Sequence, residues 1–227
     1  MRMKLIAPMA ALVLAAAGGS AAGAATTITS TFDTGTEGWT FGTYNSVTGQ
    51  PVTWEGATQT LAKINHGFGA GVFLAPAAYL GDKSEYEGGT FSFDLSTTFV
   101  DLSYQTRPAL VLIGKNNQFL FSKSTGFPGT SLTHFDIGLS AANFYKGSPT
   151  GAVSGVGAAE FASILGDLRG VGIWADWTAN VETDRLDNVA MAGQAAVPEP
   201  AAWALMILGF GAVGSTLRRR RAGYAAA

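Results

Sequence analysis

The chain predicts a mainly β protein, a jelly-roll β-sandwich with one short helix, flanked by an N-terminal signal helix and a C-terminal transmembrane helix. Three observations lead there. Apolar residues alternate with period two in several short runs separated by glycine and polar clusters. Only one internal stretch has helical spacing. Each end of the chain pairs an uncharged segment with a basic one.

Residues 1–24 read as a secretory signal peptide. Arg2 and Lys4 form its basic start, residues 5–17 its apolar middle, and Ala22-Gly23-Ala24 a small-residue cleavage site before Ala25. The ectodomain follows over residues 25–194. In it Phe91, Phe93 and Leu95 alternate with Ser92 and Asp94, and Phe135, Ile137 and Leu139 with Asp136 and Gly138. Val171, Ile173, Ala175 and Trp177 alternate with Gly172, Trp174 and Asp176. Each set describes a strand with one buried face. Residues 109–113 are continuously apolar, as in a strand covered on both sides. Lys115-Asn116-Asn117-Gln118 is a turn that should pair that strand with Phe119-Leu120-Phe121 as a hairpin. Further strands are expected at residues 39–41, 52–55, 71–75 and 186–192. The helix is read from Phe161, Ile164 and Leu165, with Glu160 in its first turn and Gly166 as a left-handed cap.

Residues 195–227 form the tail. Residues 201–217 carry no charge, and at 1.5 Å per residue they span roughly 26 Å, the short end of what crosses a hydrocarbon core of about 30 Å. Arg218, Arg219, Arg220 and Arg221 follow, a cluster that stays on the cytoplasmic side, and Trp203 sits at the opposite interface. A buried core helix would leave that arginine block unexplained.

Composition narrows the function. The ectodomain holds 8 basic and 15 acidic residues, a net charge of −7. That excludes nucleic acid as a partner and disfavours anionic glycan, because a phosphate-tracking surface needs a basic patch. There is no cysteine, and His66 and His134 are the only histidines, so thiolate and histidine-rich metal sites are excluded. No Gly-x-Ser-x-Gly elbow occurs, and the glycine-rich residues 67–71 precede a strand, unlike a phosphate-cradling loop. No catalytic residue is assigned; acids paired across a fold for glycoside cleavage are not visible in sequence spacing.

Two weaker constellations remain. Asp33 opens the ectodomain and Asp187 closes it, near Glu182, Asp184 and Asn188, and such hard oxygen ligands suit a structural calcium; ordinary acidic turns are the alternative. No cofactor is otherwise required. Trp174 is out of phase with Val171, Ile173 and Ala175, so it projects to the opposite sheet face beside Asp176. An exposed indole there, joined by Trp54 and Tyr44, would stack a sugar ring; packing under a loop or the helix is the alternative.

The order Pro198-Glu199-Pro200, Trp203-Ala204, apolar helix and arginine run resembles the PEP-CTERM sorting domain of Gram-negative bacteria, in its PEPxxWA variant. The resemblance implies recognition by an exosortase, a membrane peptidase, and removal of the tail near the Pro-Glu-Pro motif. The ectodomain resembles a laminin B (domain IV) module. The residues that carry this are Phe32-Asp33 with Glu37-Gly38-Trp39, and Phe73-Leu74-Ala75-Pro76-Ala77 with Tyr79-Leu80-Gly81-Asp82-Lys83. Gly88-Gly89-Thr90-Phe91, the helix around Phe161 and Leu186-Asp187-Asn188-Val189 continue it. It implies a jelly-roll sandwich with a structural or adhesive role and no catalytic residues; the cysteine-rich repeats that flank such modules in animals are absent. Together the resemblances imply an exported, non-catalytic structural, adhesive or glycan-binding protein, anchored transiently in the inner membrane and sorted to the cell surface or an exopolysaccharide matrix. A secreted carbohydrate-active enzyme and a permanently anchored envelope protein are the alternatives.

Overall fold

The computed structural model describes residues 25–65, 70–99, 101–194 and 206–211. In chain order the strands are β1 (Thr27–Ser30), β2 (Thr40–Thr43), β3 (Gln50–Pro51), β4 (Thr53–Glu55), β5 (Thr60–Asn65), β6 (Gly71–Leu74) and β7 (Thr90–Thr97). Then come β8 (Leu110–Gly114), β9 (Phe119–Ser122), β10 (Thr133–Gly138), β11 (Phe144–Gly147) and β12 (Val153–Gly155). Helix α1 (Ala158–Leu165), β13 (Leu168–Trp174) and β14 (Glu182–Ala192) complete it. All pairings are antiparallel and build two sheets. The first runs β10-β7-β14-β5-β4, with β1 also on β14; the second runs β12-β11-β9-β8-β13-β6-β2-β3.

The anticipated alternations become the inner faces. Phe91, Phe93 and Leu95 of β7, Phe135 and Ile137 of β10 and Leu186 of β14 project from the first sheet. Phe73, Leu110, Leu112, Val171 and Ile173 answer from the second, and all of these are at most 3% exposed. Each large side chain so buried contributes about 1.5–3 kcal/mol of hydrophobic transfer. The β8–β9 hairpin forms as read: Asn116 and Asn117 take φ of 59° and 54°, which asparagine tolerates, and Gly114 N–H donates to Gln118 O at 2.8 Å.

Register shifts twice, in the β13–β8 pairing between Leu168 and Gly170 and at the Leu186-Asp187-Asn188-Val189 block. The β14–β7 pairing slips between Asp187 and Ala190, and Asn188 has φ of 49°. This bulge flips the phase of the strand. Leu186 faces inward before it and Val189 and Met191 after it, all at most 1% exposed.

Three readings are corrected. The run to Trp177 is a strand only as far as Trp174, because the Trp174 and Trp177 indoles then bond main-chain carbonyls, of Asp176 at 2.9 Å and of Trp174 at 3.1 Å. Gly166 stays right-handed at φ −71° and caps α1 by donating to Ala162 O at 2.9 Å. The short strands β1, β3, β5, β11 and β12 have too few alternating apolar residues to stand out in sequence.

Residues 24–195 form one compact unit. Of the tail, residues 206–211 are helical and exposed. Among the described residues no helix is long and apolar enough to cross a membrane. The signal segment, Ala22 and Ala24, the Pro198-Glu199-Pro200 motif, Trp203, Ala204, the four arginines and the remainder of residues 201–217 lie outside the described residues.

Candidate functional site

Register decides which side chains share the outer face of the eight-stranded sheet. Val72 lies opposite Trp174, Val111 opposite Phe121, Ile113 opposite Phe119, and Tyr145 opposite Phe121. This face points away from the other sheet and carries its own aromatic layer. Tyr44, just past β2, folds across it. Its ring stacks on Trp174 at 5.9 Å and meets Phe119 and Phe121 edge-on at 5.8 and 5.5 Å. Tyr145 stacks on Phe121 at 5.6 Å. From the segment before β8, the Arg107 guanidinium lies 4.7 Å over Tyr104 and 5.9 Å over Trp174.

The sequence reading places Trp174 on the correct face but exposed, and the indole is in fact fully buried. Tyr44 and Arg107 occupy its surroundings. Tyr44, Tyr104, Phe119 and Tyr145, by contrast, are half-exposed. Tyr44 and Trp174 therefore come together, and Trp54 does not join them. It sits on β4 at the edge of the other sheet, 38% exposed, donating to Phe32 O at 2.7 Å. Beside Tyr145 a cleft of about 410 Å³ opens, lined also by Thr106, Lys123, Ser124, Ser148 and Thr150. Its two walls are tied by the Ser124 hydroxyl, which donates to Gln105 O at 2.7 Å. Rings beside hydroxyls are suited to a hydroxyl-rich ring ligand.

The outer face of the six-stranded sheet holds the acidic site anticipated at Asp33 and Asp187. Asp187 lies opposite Asp94, whose carboxylate is 2.6 Å from His134 Nδ1 and accepts from Asn188 Nδ2 at 2.8 Å. Partial burial, then the charges of Asp94, Asp33 and Glu37, push the Asp187 carboxyl up. Asp33 and Asp187 are thus within electrostatic reach. Their neighbours are already committed: Asp33 accepts from the Thr31 hydroxyl at 2.8 Å and Glu37 from Phe32 N–H at 2.6 Å. Among the described residues no three acidic or histidine side chains converge as a metal site.

Glu182 and Asp184, grouped in the sequence with Asp187 as oxygen ligands for calcium, instead turn inward and form a separate buried cluster. They share the inward phase of Leu186, and that phase is the signal that would have revealed them. Glu182 accepts from Trp177 N–H at 2.8 Å and from the Thr97 hydroxyl at 2.9 Å. Burial nevertheless pushes its carboxyl up to about 7. Asp184 is fully buried, both its oxygens lack a hydrogen-bond partner, and burial followed by the Glu182 charge holds it well above the usual carboxylate range. Asp176, which accepts from Asn65 Nδ2 at 3.2 Å, is also raised by burial.

Fold and site together define an antiparallel two-sheet sandwich with an aromatic, hydroxyl-edged outer face. The chain belongs to the laminin B (domain IV) family, whose model matches residues 72–204. The PEP-CTERM protein-sorting motif is matched over residues 196–221, which marks an exported protein. The L4b domain of human laminin alpha-2 has the same fold, at 14% identity and a TM-score of 0.52, covering 63% of this chain and 83% of that one. Looser likenesses are the cellulose-induced protein Cip1, with 11% identity and a TM-score of 0.37 over 71% of this chain and 95% of that one. The family 11 carbohydrate-binding module of a Clostridium thermocellum cellulase has 14% identity and a TM-score of 0.36 over 77% and 97%. Neither bears on ligand or activity. No curated protein matches the chain.

Proposed function

We propose that this protein is a non-catalytic adhesive module of the cell surface or extracellular matrix, holding glycan on the outer face of its eight-stranded sheet. The observation that carries this is the set of half-exposed rings Tyr44, Tyr104, Phe119 and Tyr145 on one face, of which Tyr145 lines the hydroxyl-edged cleft. Aromatic faces stack on the apolar faces of sugar rings while hydroxyls bond their rims. Trp174 acts beneath them as a support for Tyr44. The jelly-roll reading of the sandwich agrees with this use of one open face. Affinity electrophoresis through gels containing polysaccharide from the producing cells tests it. The full chain should be retarded and Tyr145→Ala should migrate freely; equal mobility with and without polysaccharide would refute the reading.

Delivery rests on the tail. An exosortase-type peptidase acts near Pro198-Glu199-Pro200 after residues 201–217 have halted in the inner membrane with Arg218 to Arg221 on the cytoplasmic side. The sorting-motif match supports this. Mass spectrometry of the surface-released protein should end near Pro200, and a C-terminal peptide running through Ala227 would show that no cleavage occurs. A structural calcium at Asp33 and Asp187 is a separate proposal. It is supported by the mutual repulsion of carboxylates there, which a divalent cation would relieve.

A further inference from the structure

We infer that the outer-face cleft selects acidic glycan, sugar rings bearing carboxylates, over neutral chains. The inference rests on the glycan-binding reading above and supplies the class of ligand.

The first ground is the confinement of the strand acids to one sheet. Glu55, Asp94, Asp136, Glu182, Asp184 and Asp187 are the acidic residues within strands, and all belong to the six-stranded sheet. The eight strands of the other sheet contain none; cations occur in both, Lys63 and Arg185 in the first and Lys146 and Arg169 in the second, the latter two paired with Glu160 and Asp167. The net charge of −7 therefore misdescribes the face that carries the rings. Stacked sheets lie about 10 Å apart, and the Debye length at physiological salt is about 8 Å. The outward-facing acids Asp94, Asp136 and Asp187 lie beyond that distance from a ligand on this face, whereas Glu182 and Asp184 point between the sheets.

The second ground is Arg107. Among the described residues no carboxylate pairs with it. Its guanidinium face is held by Tyr104 and Trp174. Stacking of that kind fixes the plane and leaves the fork of N–H donors free along its edge, the geometry that receives a carboxylate in bidentate fashion. Arg107 directly follows Thr106, which lines the cleft together with Tyr145 and Lys123, so the guanidinium stands at the cleft's margin. Lys123 adds a second cation there, and none of the cleft-lining residues is acidic. Asp176, on which the Arg107 charge acts, and Asp101 of the preceding turn are already engaged. Asp101 accepts from both the backbone and the hydroxyl of Ser103. Asp176 is only 6% exposed and accepts from Asn65.

The test is affinity electrophoresis of the full chain in mild detergent at physiological salt, through gels containing polygalacturonate, neutral dextran or dextran sulfate. Polygalacturonate should retard the protein and dextran should not. The Arg107→Gln, Lys123→Gln double variant should lose about tenfold or more in affinity, as expected for two charge-assisted contacts, with an unchanged melting temperature. Arg169→Gln, which removes a cation paired with Asp167, should leave affinity intact. Equal retardation by dextran, or polygalacturonate binding indifferent to the double variant, overturns the acidic selectivity while leaving a glycan-binding face. Stronger retardation by dextran sulfate than by polygalacturonate overturns the carboxylate preference. No retardation in any gel removes both this inference and the reading beneath it.

Discussion

Replacing Asp184 by asparagine removes a carboxyl that is fully buried with neither oxygen hydrogen-bonded, and the sandwich should gain stability above neutral pH. An ionised carboxylate there is buried and faces Glu182 and Asp176, and the neighbouring Thr97 hydroxyl donates to Glu182, so folding holds Asp184 in its protonated form. Glu182 sets the scale. Its carboxyl rises from an ordinary 4.5 to about 7, and each pKa unit is about 1.4 kcal/mol, giving about 3 kcal/mol. The raised folded-state value means that stability is complete below about pH 4 and is lost as pH climbs through about 7. At about 2–4 °C per kcal/mol for a domain of this length, the melting temperature should fall by about 6–12 °C between pH 5 and pH 9. Asp184→Asn should remove the Asp184 share of the pH dependence, leave the fall due to Glu182, and gain at least about 1 kcal/mol at pH 8, the lower bound for stranding one buried polar group. Differential scanning calorimetry across the pH range is the assay. A flat wild-type profile, or a variant that melts lower at pH 8, would refute the reasoning.

Tyr79 is wholly buried, donates to Ser30 Oγ and Val189 O at 3.3 Å each, and has its hydroxyl pushed up to about 12 by burial. Tyr79→Phe should cost about 1–2 kcal/mol in chemical denaturation, with no change in glycan retardation. A side chain at Gly89 would collide with the Ala192 carbonyl, so Gly89→Ala should lower the melting temperature by more than the effect of a typical surface change, above about 0.5 kcal/mol. Calcium should raise the melting temperature of the wild type reversibly on addition and removal with EDTA, and Asp187→Asn should abolish the response. Identical transitions with and without calcium would dismiss the ion.

The amino-acid sequence by itself determined the class of fold and the sorting tail. Those features are written in local periodicity: Phe91, Phe93 and Leu95 reveal their strand without knowledge of its partner, and an uncharged run before four arginines identifies itself. The ectodomain helix was equally legible from Phe161, Ile164 and Leu165. The state of each site was decided only by tertiary structure, because it depends on what distant segments bring over a given face. Trp174 was correctly assigned to the outer face, yet Tyr44 and Arg107, remote in sequence, cover it. The inward aim of Asp184 became meaningful only with Glu182, Thr97 and Asp176 packed around it. Net charge is a sum over the chain, whereas a ligand meets one face. The confinement of the strand acids to one of the two sheets appears only once strands far apart in sequence have paired.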